Sequence, residues 1–188
     1  MIDEKHVLNG VKNVVLDLDG TLYDKRGLAR RIVARLWWSL PLLLIDRKAH
    51  GPLWRWVVRT RWYRRIYLPT MVRLIGAHCP VRKEVVAFIE ACRLRQIPMA
   101  VYSDYAFVRE KLAVLGIDAT QFRWLIDSPS LGARKPSREA AQKLLQMMEA
   151  DPRTTLFVGD RDDTDGETAR LVGAKFLMIN KNSRTLGH

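Results

Sequence analysis

The chain has 188 residues, of which 48% are hydrophobic, and a formal net charge of +12. This length and apolar content support one substantial core, alone or with a small inserted module, and exclude a disordered chain. Two cysteines, Cys79 and Cys92, are too few for a disulfide framework, and no C-x-x-C or His/Cys pairing offers a zinc site.

Apolar runs typical of buried strands alternate with helical patterns along the chain. The first run, residues 14–16, ends at Asp17, and the later runs cover residues 99–102, 124–126, 155–158 and 176–179. Helical patterns lie between them, at residues 84–95, 105–115, 137–148 and 164–172. Ser137 is a typical N-cap, and Gly116 and Gly173 are typical of helix ends. This alternation predicts an α/β fold with a parallel sheet covered on both faces.

The segment between the first two strands differs in composition from the rest of the chain. From Lys25 to Lys83 it holds fifteen Lys/Arg and a single acid, Asp46, a net charge of +14, whereas the remainder carries −2. It also holds five of the six tryptophans. We expect at least two helices here, with breaks near Pro41 and around residues 51–52. The shift in composition suggests that this segment forms a module with its own function.

Polar side chains follow the ends of several predicted strands. Asp17 and Asp19 follow the first strand, Ser103 the second and Asp160 the fourth, and Lys135 lies on the connection before the fourth. Ligands of open parallel sheets bind at the carboxyl edge of the strands. The sequence therefore predicts one site that contains all of these residues.

Each of these residue types suits phosphoryl transfer. A carboxylate such as Asp17 can attack phosphorus and form an acyl phosphate, and Asp19 can protonate the leaving oxygen and later deprotonate water. Mg²⁺ prefers oxygen ligands, reduces the repulsion between a carboxylate and a phosphate, and can be held by Asp17 and Asp160. Ser103 offers a hydroxyl donor, and Lys135 a compact cation, to the transferring group.

Taken in order, these motifs resemble those of the haloacid dehalogenase (HAD) superfamily. The run DLDGTL at residues 17–22 is similar to its first motif, and Ser103 to its second. Lys135, followed by proline, is similar to the third motif, and GDRDDTD at residues 159–165 to the fourth. The resemblance covers roughly residues 12–180.

The resemblance implies a Rossmann-like three-layer sandwich with a parallel sheet and an inserted α-helical cap of the C1 type. It assigns residues 1–24 and 81–188 to the catalytic core and residues 25–80 to the cap. The presence of Asp19 favours the phosphatase branch of the superfamily, because the dehalogenase branch lacks that acid.

The resemblance also implies a role for each site residue. Asp17 would be the nucleophile and Asp19 the general acid/base, with Ser103 and Lys135 as further catalytic residues. Mg²⁺ would be held by Asp17, the main-chain carbonyl of Asp19 and Asp160. The remaining assignments are support of the metal ligands by Asp163 and Asp165, and phosphate binding by Gly20, Thr21 and Asp104.

Three of these residues have an ordinary structural alternative. Ser103 can be a plain N-cap of the next helix, Lys135 a solvated surface lysine, and Asp165 the cap of the final helix. The burial and the partners of each side chain decide between the two interpretations.

The basic segment also allows two interpretations. Amphipathic helices with Trp and Leu packed on the core explain its aromatic residues, but not the near absence of acids, since surface helices usually interleave both signs. A polyanionic partner or an anionic membrane surface would explain it. Arg61, Arg64 and Arg65 are candidates to bind a phosphate or carboxylate on the leaving group.

Several functions therefore stay open. The first is a soluble, magnesium-dependent phosphatase for a small phosphorylated substrate, with a phosphomutase or phosphotransferase as a variant. The second acts on a nucleic-acid end or a lipid phosphate, and the third is a non-enzymatic binding protein. Whichever holds, we expect a monomer or a homodimer.

The expected location is cytoplasmic, with any membrane contact peripheral. The first thirteen residues lack the apolar core of a secretory signal. The longest apolar stretch, residues 36–45, is shorter than the roughly 20 residues needed to cross a bilayer.

Overall fold

A five-stranded parallel sheet forms the centre of the molecule, which the computed structural model describes at residues 7–48 and 51–179. The strand order is β3-β2-β1-β4-β5. The strands are β1 Asn13–Leu16, β2 Met99–Ser103, β3 Trp124–Asp127, β4 Thr155–Gly159 and β5 Lys175–Met178. All five lie where the sequence predicts them, so the parallel α/β sheet is confirmed.

Strand β1 lies in the middle of the sheet, paired with β2 and β4. Its side chains alternate between two apolar clusters, with Val14 and Leu16 in one and Val15 in the other. A central parallel strand is buried on both faces, which explains its uninterrupted apolar sequence. Helices cover both faces, and the Rossmann-like three-layer sandwich is confirmed.

Between β1 and the first helix of the core, the described residues form four helices. They are α1 Leu28–Arg35, α2 Leu40–Lys48, α3 Gly51–Val57 and α4 Leu68–His78, with a 3₁₀ turn at Trp37–Ser39 and a π-helical turn at Tyr63–Tyr67. Pro41 is the second residue of α2, so the predicted break near this proline is confirmed. Proline is tolerated in a first turn because the N–H that it lacks has no helical partner there.

The inserted helices share their apolar core with the sheet. Leu68 and Ile75 of α4 are fully buried and belong to the same cluster as Leu16 of β1. The chain leaves and re-enters the core side by side, where Tyr23 pairs with Val81 in an antiparallel bridge. This crossing lies at the limits of the segment assigned to a cap, residues 25–80, and the division into cap and core stays a prediction.

The core helices cover both faces of the sheet. They are α5 Lys83–Leu94, α6 Val108–Val114, α7 Ser128–Leu131, α8 Arg138–Met147 and α9 Glu167–Val172. Ser137 caps α8 by accepting a hydrogen bond from the Ala140 N–H, as predicted. Helix α6 begins later than residue 105, because Phe107 has a left-handed backbone with a φ of 63°. None of the described helices has the length and apolar character needed to cross a bilayer.

Candidate active site

Asp17 begins the loop that follows β1, and both of its carboxylate oxygens have partners. Its N–H still donates to Val158 in β4, so the side chain is fixed at the carboxyl edge of the sheet. Lys135 Nζ lies 2.6 Å from Asp17 Oδ1, and Thr21 Oγ1 donates to Asp17 Oδ2 at 2.9 Å. Asp17 is 8% exposed. Thr21, expected to bind phosphate, thus contacts the expected nucleophile.

Lys135 lies between two carboxylates. Its Nζ is 2.6 Å from Asp17 Oδ1 and 2.6 Å from Asp165 Oδ1, and 3.2 Å from the carbonyl oxygen of Tyr102. Burial disfavours its charge, but Asp17 and Asp165 outweigh this and raise the pKa of Lys135 well above its usual value. The buried position shows that the interpretation of Lys135 as a solvated surface lysine is wrong.

A π-helical turn, Asp162–Gly166, directs Asp165 into the site. Asp165 is buried, and burial together with the charge of Asp17 raises its pKa. Helix α9 has Gly166 at its N-cap position and no side-chain cap, so the interpretation of Asp165 as a helix cap is wrong. Asp163, by contrast, is exposed and paired with Arg161.

Three buried carboxylates form a candidate cation site. Asp17, Asp160 and Asp165 each offer one oxygen, and these oxygens all lie within 4.8 Å of one another. Hard carboxylate oxygens are the donors that Mg²⁺ prefers, and the cluster has no soft sulfur or nitrogen ligand that would favour another metal. The residues present therefore fit a magnesium ion.

Asp19 faces a different set of partners. Tyr23 donates its hydroxyl to Asp19 Oδ1 at 2.7 Å, and Lys111 Nζ lies 2.8 Å from Asp19 Oδ2. The hydroxyl of Ser103 also lies next to Oδ2. Burial raises the pKa of Asp19, but the charge and hydrogen bond of Lys111 outweigh it and lower the pKa below its ordinary value. Asp19 is thus held as a carboxylate.

Ser103 belongs to this cluster and does not cap a helix. It is fully buried at the end of β2, and Lys111 Nζ lies 3.2 Å from its Oγ. Helix α6 starts only at Val108, with Phe107 at the N-cap position, so the N-cap interpretation is wrong.

Sequence reasoning missed Lys111, which is fully buried in α6. A signal was available: Val108, Lys111 and Leu112 have the i, i+3, i+4 spacing of one buried helix face. A lysine in an apolar stripe needs a buried counter-ion, and Asp19 supplies it.

Asp104 holds the loop that carries Lys135. Its Oδ1 accepts hydrogen bonds from Ser128 Oγ at 2.7 Å and from the Lys135 N–H at 3.0 Å. The side chain that was expected to bind phosphate therefore ties the loops after β2 and β3 together.

A family model for haloacid dehalogenase-like hydrolases matches residues 11–173. The chain belongs to this family. The resemblance predicted from the four motifs is thereby confirmed. No curated protein matches the sequence.

Solved structures with this fold include phosphatases and dehalogenases. CbbY from Rhodobacter sphaeroides, in complex with phosphate, is 17% identical with a TM-score of 0.70 over 90% of this chain and 86% of that one. A predicted phosphoglycolate phosphatase from Haemophilus somnus 129PT is 21% identical with a TM-score of 0.66, covering 90% and 85%. The L-2-haloacid dehalogenase from Xanthobacter autotrophicus is 15% identical with a TM-score of 0.64, covering 93% and 79%. At these identities the likeness concerns the fold.

The inserted helices of this HAD-like hydrolase form one side of a cleft of about 640 Å³. Four exposed arginines line it, namely Arg55, Arg59, Arg64 and Arg109. None of them has a carboxylate within salt-bridge distance in the described parts of the chain. Arg61 and Arg65, also expected to face the substrate, are exposed and lie outside the lining of this cleft.

The single acid of the basic segment contacts the loop next to Lys135. Arg134 donates to the Asp46 carbonyl at 2.7 Å and to Asp46 Oδ1 at 3.0 Å, and both side chains are largely buried. The guanidinium also lies 5.4 Å from the ring centroid of Trp54. Helix α2 is thereby held against the catalytic core.

Proposed function

We propose that this HAD-like hydrolase is a magnesium-dependent phosphomonoester hydrolase that works through an aspartyl-phosphate on Asp17. The observation that supports it most is the fixed carboxylate of Asp17 next to Lys135 and the oxygens of Asp160 and Asp165. A buried carboxylate, a buried ammonium and a cation site at one sheet edge meet the requirements of nucleophilic attack on a phosphate.

The roles follow from the contacts. Asp17 attacks phosphorus, and Lys135 orients it and reduces the repulsion between carboxylate and phosphate. Asp17, Asp160 and the main-chain carbonyl of Asp19 would hold Mg²⁺, which supplies charge neutralisation on the phosphoryl oxygens. Asp165 keeps Lys135 charged and in place through its 2.6 Å contact.

Asp19 completes the cycle as the proton-transfer group. It gives a proton to the leaving oxygen and takes one from the water that cleaves the acyl phosphate, so that each turnover restores it. The contacts with Lys111, Ser103 and Tyr23 keep it ionised in the protein alone, which suits the second of these steps. The first step requires Asp19 to have taken up a proton before the leaving oxygen departs.

Asp17→Asn tests the nucleophile. With Mg²⁺ and p-nitrophenyl phosphate, the variant is expected to lose at least about 10³-fold in kcat, because an amide cannot form the acyl phosphate. Asp163→Asn is the matched control, since Asp163 is an exposed carboxylate that forms a salt bridge with Arg161. Full activity of Asp17→Asn would overturn the mechanism.

The proposed substrate is a small phosphorylated compound whose leaving group carries a second negative charge. The cleft is lined by the four arginines together with Glu110 and Asp127, and by none of the proposed catalytic residues. Its excess of positive charge supports this class. Against a panel of phosphorylated acids and sugars, Arg64→Ala is expected to raise KM about tenfold for acidic substrates and leave p-nitrophenyl phosphate unchanged. Equal effects on both would contradict the assignment.

A phosphatase bound to an anionic membrane surface is a second candidate. Three tryptophans of the inserted segment are more than half exposed, Trp37 at 72%, Trp38 at 54% and Trp56 at 55%. Leu44 of α2 is also half exposed. Exposed tryptophan and leucine next to arginines are typical of helices that lie in the membrane interface.

Sedimentation with vesicles tests the second candidate. Binding to phosphatidylglycerol vesicles at low salt, lost on the combined change Trp37→Ala and Trp38→Ala, is expected if the surface meets lipid. Neutral vesicles are the control. A shift of nucleic acid without vesicle binding would identify a different polyanion, and a dimer that buries these tryptophans would assign the surface to a second copy.

A further inference from the structure

The ammonium group of Lys25 lies among oxygens that the proposed function assigns to the metal. Its Nζ is 2.6 Å from the main-chain oxygen of Asp19. It is also 3.2 Å from Asp160 Oδ1 and 3.0 Å from Asp160 Oδ2. Two of the three proposed magnesium ligands therefore already contact a cation that belongs to the chain itself.

The space around this ammonium is limited by Gly20. A Cβ atom on Gly20 would overlap the end of the Lys25 side chain and would lie only 2.6 Å from Asp160 Oδ2. Magnesium binds oxygen at about 2.0–2.1 Å and keeps several waters. An ammonium in this position and a hydrated magnesium ion would occupy the same volume.

We propose that Lys25 is an internal competitor for the divalent cation. Its ammonium pairs with Asp160, and the incoming cation displaces it. Asp160 is buried, and a buried carboxylate is costly without a counter-ion, so Lys25 stabilises the site whenever no divalent cation is bound. The side chain is 37% exposed and flexible, so it can move into solvent. The inference rests on the proposed metal dependence.

The position of Lys25 links this exchange to the inserted segment. Lys25 is the first residue of the predicted cap, and its carbonyl oxygen accepts the N–H of Leu28 at the start of α1. Displacement of its side chain therefore takes place at the start of the inserted segment, next to α1.

Calorimetric titration of the full chain with Mg²⁺ is the first measurement. Lys25→Met is expected to bind Mg²⁺ at least about threefold more tightly than wild type, because Mg²⁺ then does not have to displace the Lys25 ammonium from Asp160. Lys12→Met is the matched control: Lys12 is an exposed lysine just before β1, at the opposite end of the strand from Asp17. Equal or weaker binding by Lys25→Met overturns the inference.

Acetylation of lysines, followed by peptide mass spectrometry, detects the displacement directly. Mg²⁺ is expected to speed the modification of Lys25 in wild type severalfold and to leave Lys12 unchanged. If Mg²⁺ leaves the labelling of Lys25 unchanged or slows it, the competition is overturned. This holds even if Lys25→Met binds Mg²⁺ more tightly, since removing a positive charge also reduces its repulsion of the metal. If neither wild type nor Lys25→Met binds Mg²⁺, the proposed metal dependence fails as well. If both bind Mg²⁺ with the same affinity, only the role of Lys25 as a competitor is overturned.

Discussion

The ion pair between Asp19 and Lys111 is expected to contribute to stability as well as to the proposed catalysis. Lys111 is fully buried, and Asp19 is its carboxylate partner at 2.8 Å. Asp19→Asn removes the negative charge and leaves a buried ammonium without it, a change that typically costs about 3–5 kcal/mol. We expect the variant to lose about 3 kcal/mol in the free energy of unfolding in urea at pH 7.

Two further measurements separate this cause from a general loss of packing. Adding Lys111→Met to Asp19→Asn is expected to recover much of the loss, because no charge is then left unpaired. The folded pKa of Asp19 is lowered, so its contribution is present above pH 3.8, the ordinary value, and is lost as the pH falls further. If the difference in the free energy of unfolding between wild type and Asp19→Asn persisted unchanged at lower pH, this assignment would be contradicted.

Replacement of Gly20 should damage the cation site without removing a carboxylate from it. Its φ of 110° disfavours any side chain, and a Cβ would crowd Lys25 and Asp160. Gly20→Ala is expected to weaken Mg²⁺ binding at least about tenfold by calorimetry, since the Asp160 carboxylate has to shift. Gly116→Ala is the control, with a φ of 70° but open space around its Cβ. Similar metal binding by both variants would contradict the steric argument.

Single residues were predictable from sequence where their role depends on a motif, and not where it depends on distant packing. Asp17, Lys135 and Asp160 come together because strand ends share one edge of the sheet. Lys25 lies in a segment whose direction the sequence does not specify, and the helix face of Lys111 indicates its burial but not its counter-ion. Their carboxylate partners are 135 and 92 residues away in the chain, so only the folded structure brings each pair together.

At the scale of elements, strands were easier to predict than the loops that complete the site. Buried β-branched runs specify a central parallel strand such as β1 almost by themselves. The π-helical turn before α9 carries no comparable pattern, yet it is what directs Asp165 inwards and leaves Asp163 exposed. The backbone geometry of this turn therefore decides which acid of the fourth motif faces the site, and composition does not encode that geometry.

Helix α2 is held to the loop before Lys135 by one buried ion pair. Asp46→Ala leaves the largely buried guanidinium of Arg134 without its carboxylate, and we expect a loss of about 3 kcal/mol in the free energy of unfolding. Asp24→Ala removes the partner of Arg26, which is highly exposed, and should cost far less than the change at Asp46. Chemical denaturation of both variants measures the difference, and equal small losses would show that the Asp46 contact contributes nothing.

At the scale of the whole molecule, charge and burial divide the inserted segment in two. Its single acid, Asp46, is buried, so the described surface of this segment presents basic and aromatic groups without an acid. The exposed tryptophans and leucines lie in α2, in α3 and in the 3₁₀ turn Trp37–Ser39, whereas α4 contributes fully buried residues to the cluster that includes β1. The sequence predicted one module over residues 25–80, because composition is uniform along it and does not reveal this difference in packing.

Amide hydrogen exchange of the full chain tests how this segment moves. Local opening free energies follow burial, so β1 and β4 are expected to exchange slowest and α4 to exchange with them. The amides of α2 and α3 are expected to exchange at least about tenfold faster, since much of their surface faces solvent. If α4 exchanged as fast as α3, the whole inserted segment would open as one unit, and the shared core between α4 and β1 would not determine its motion.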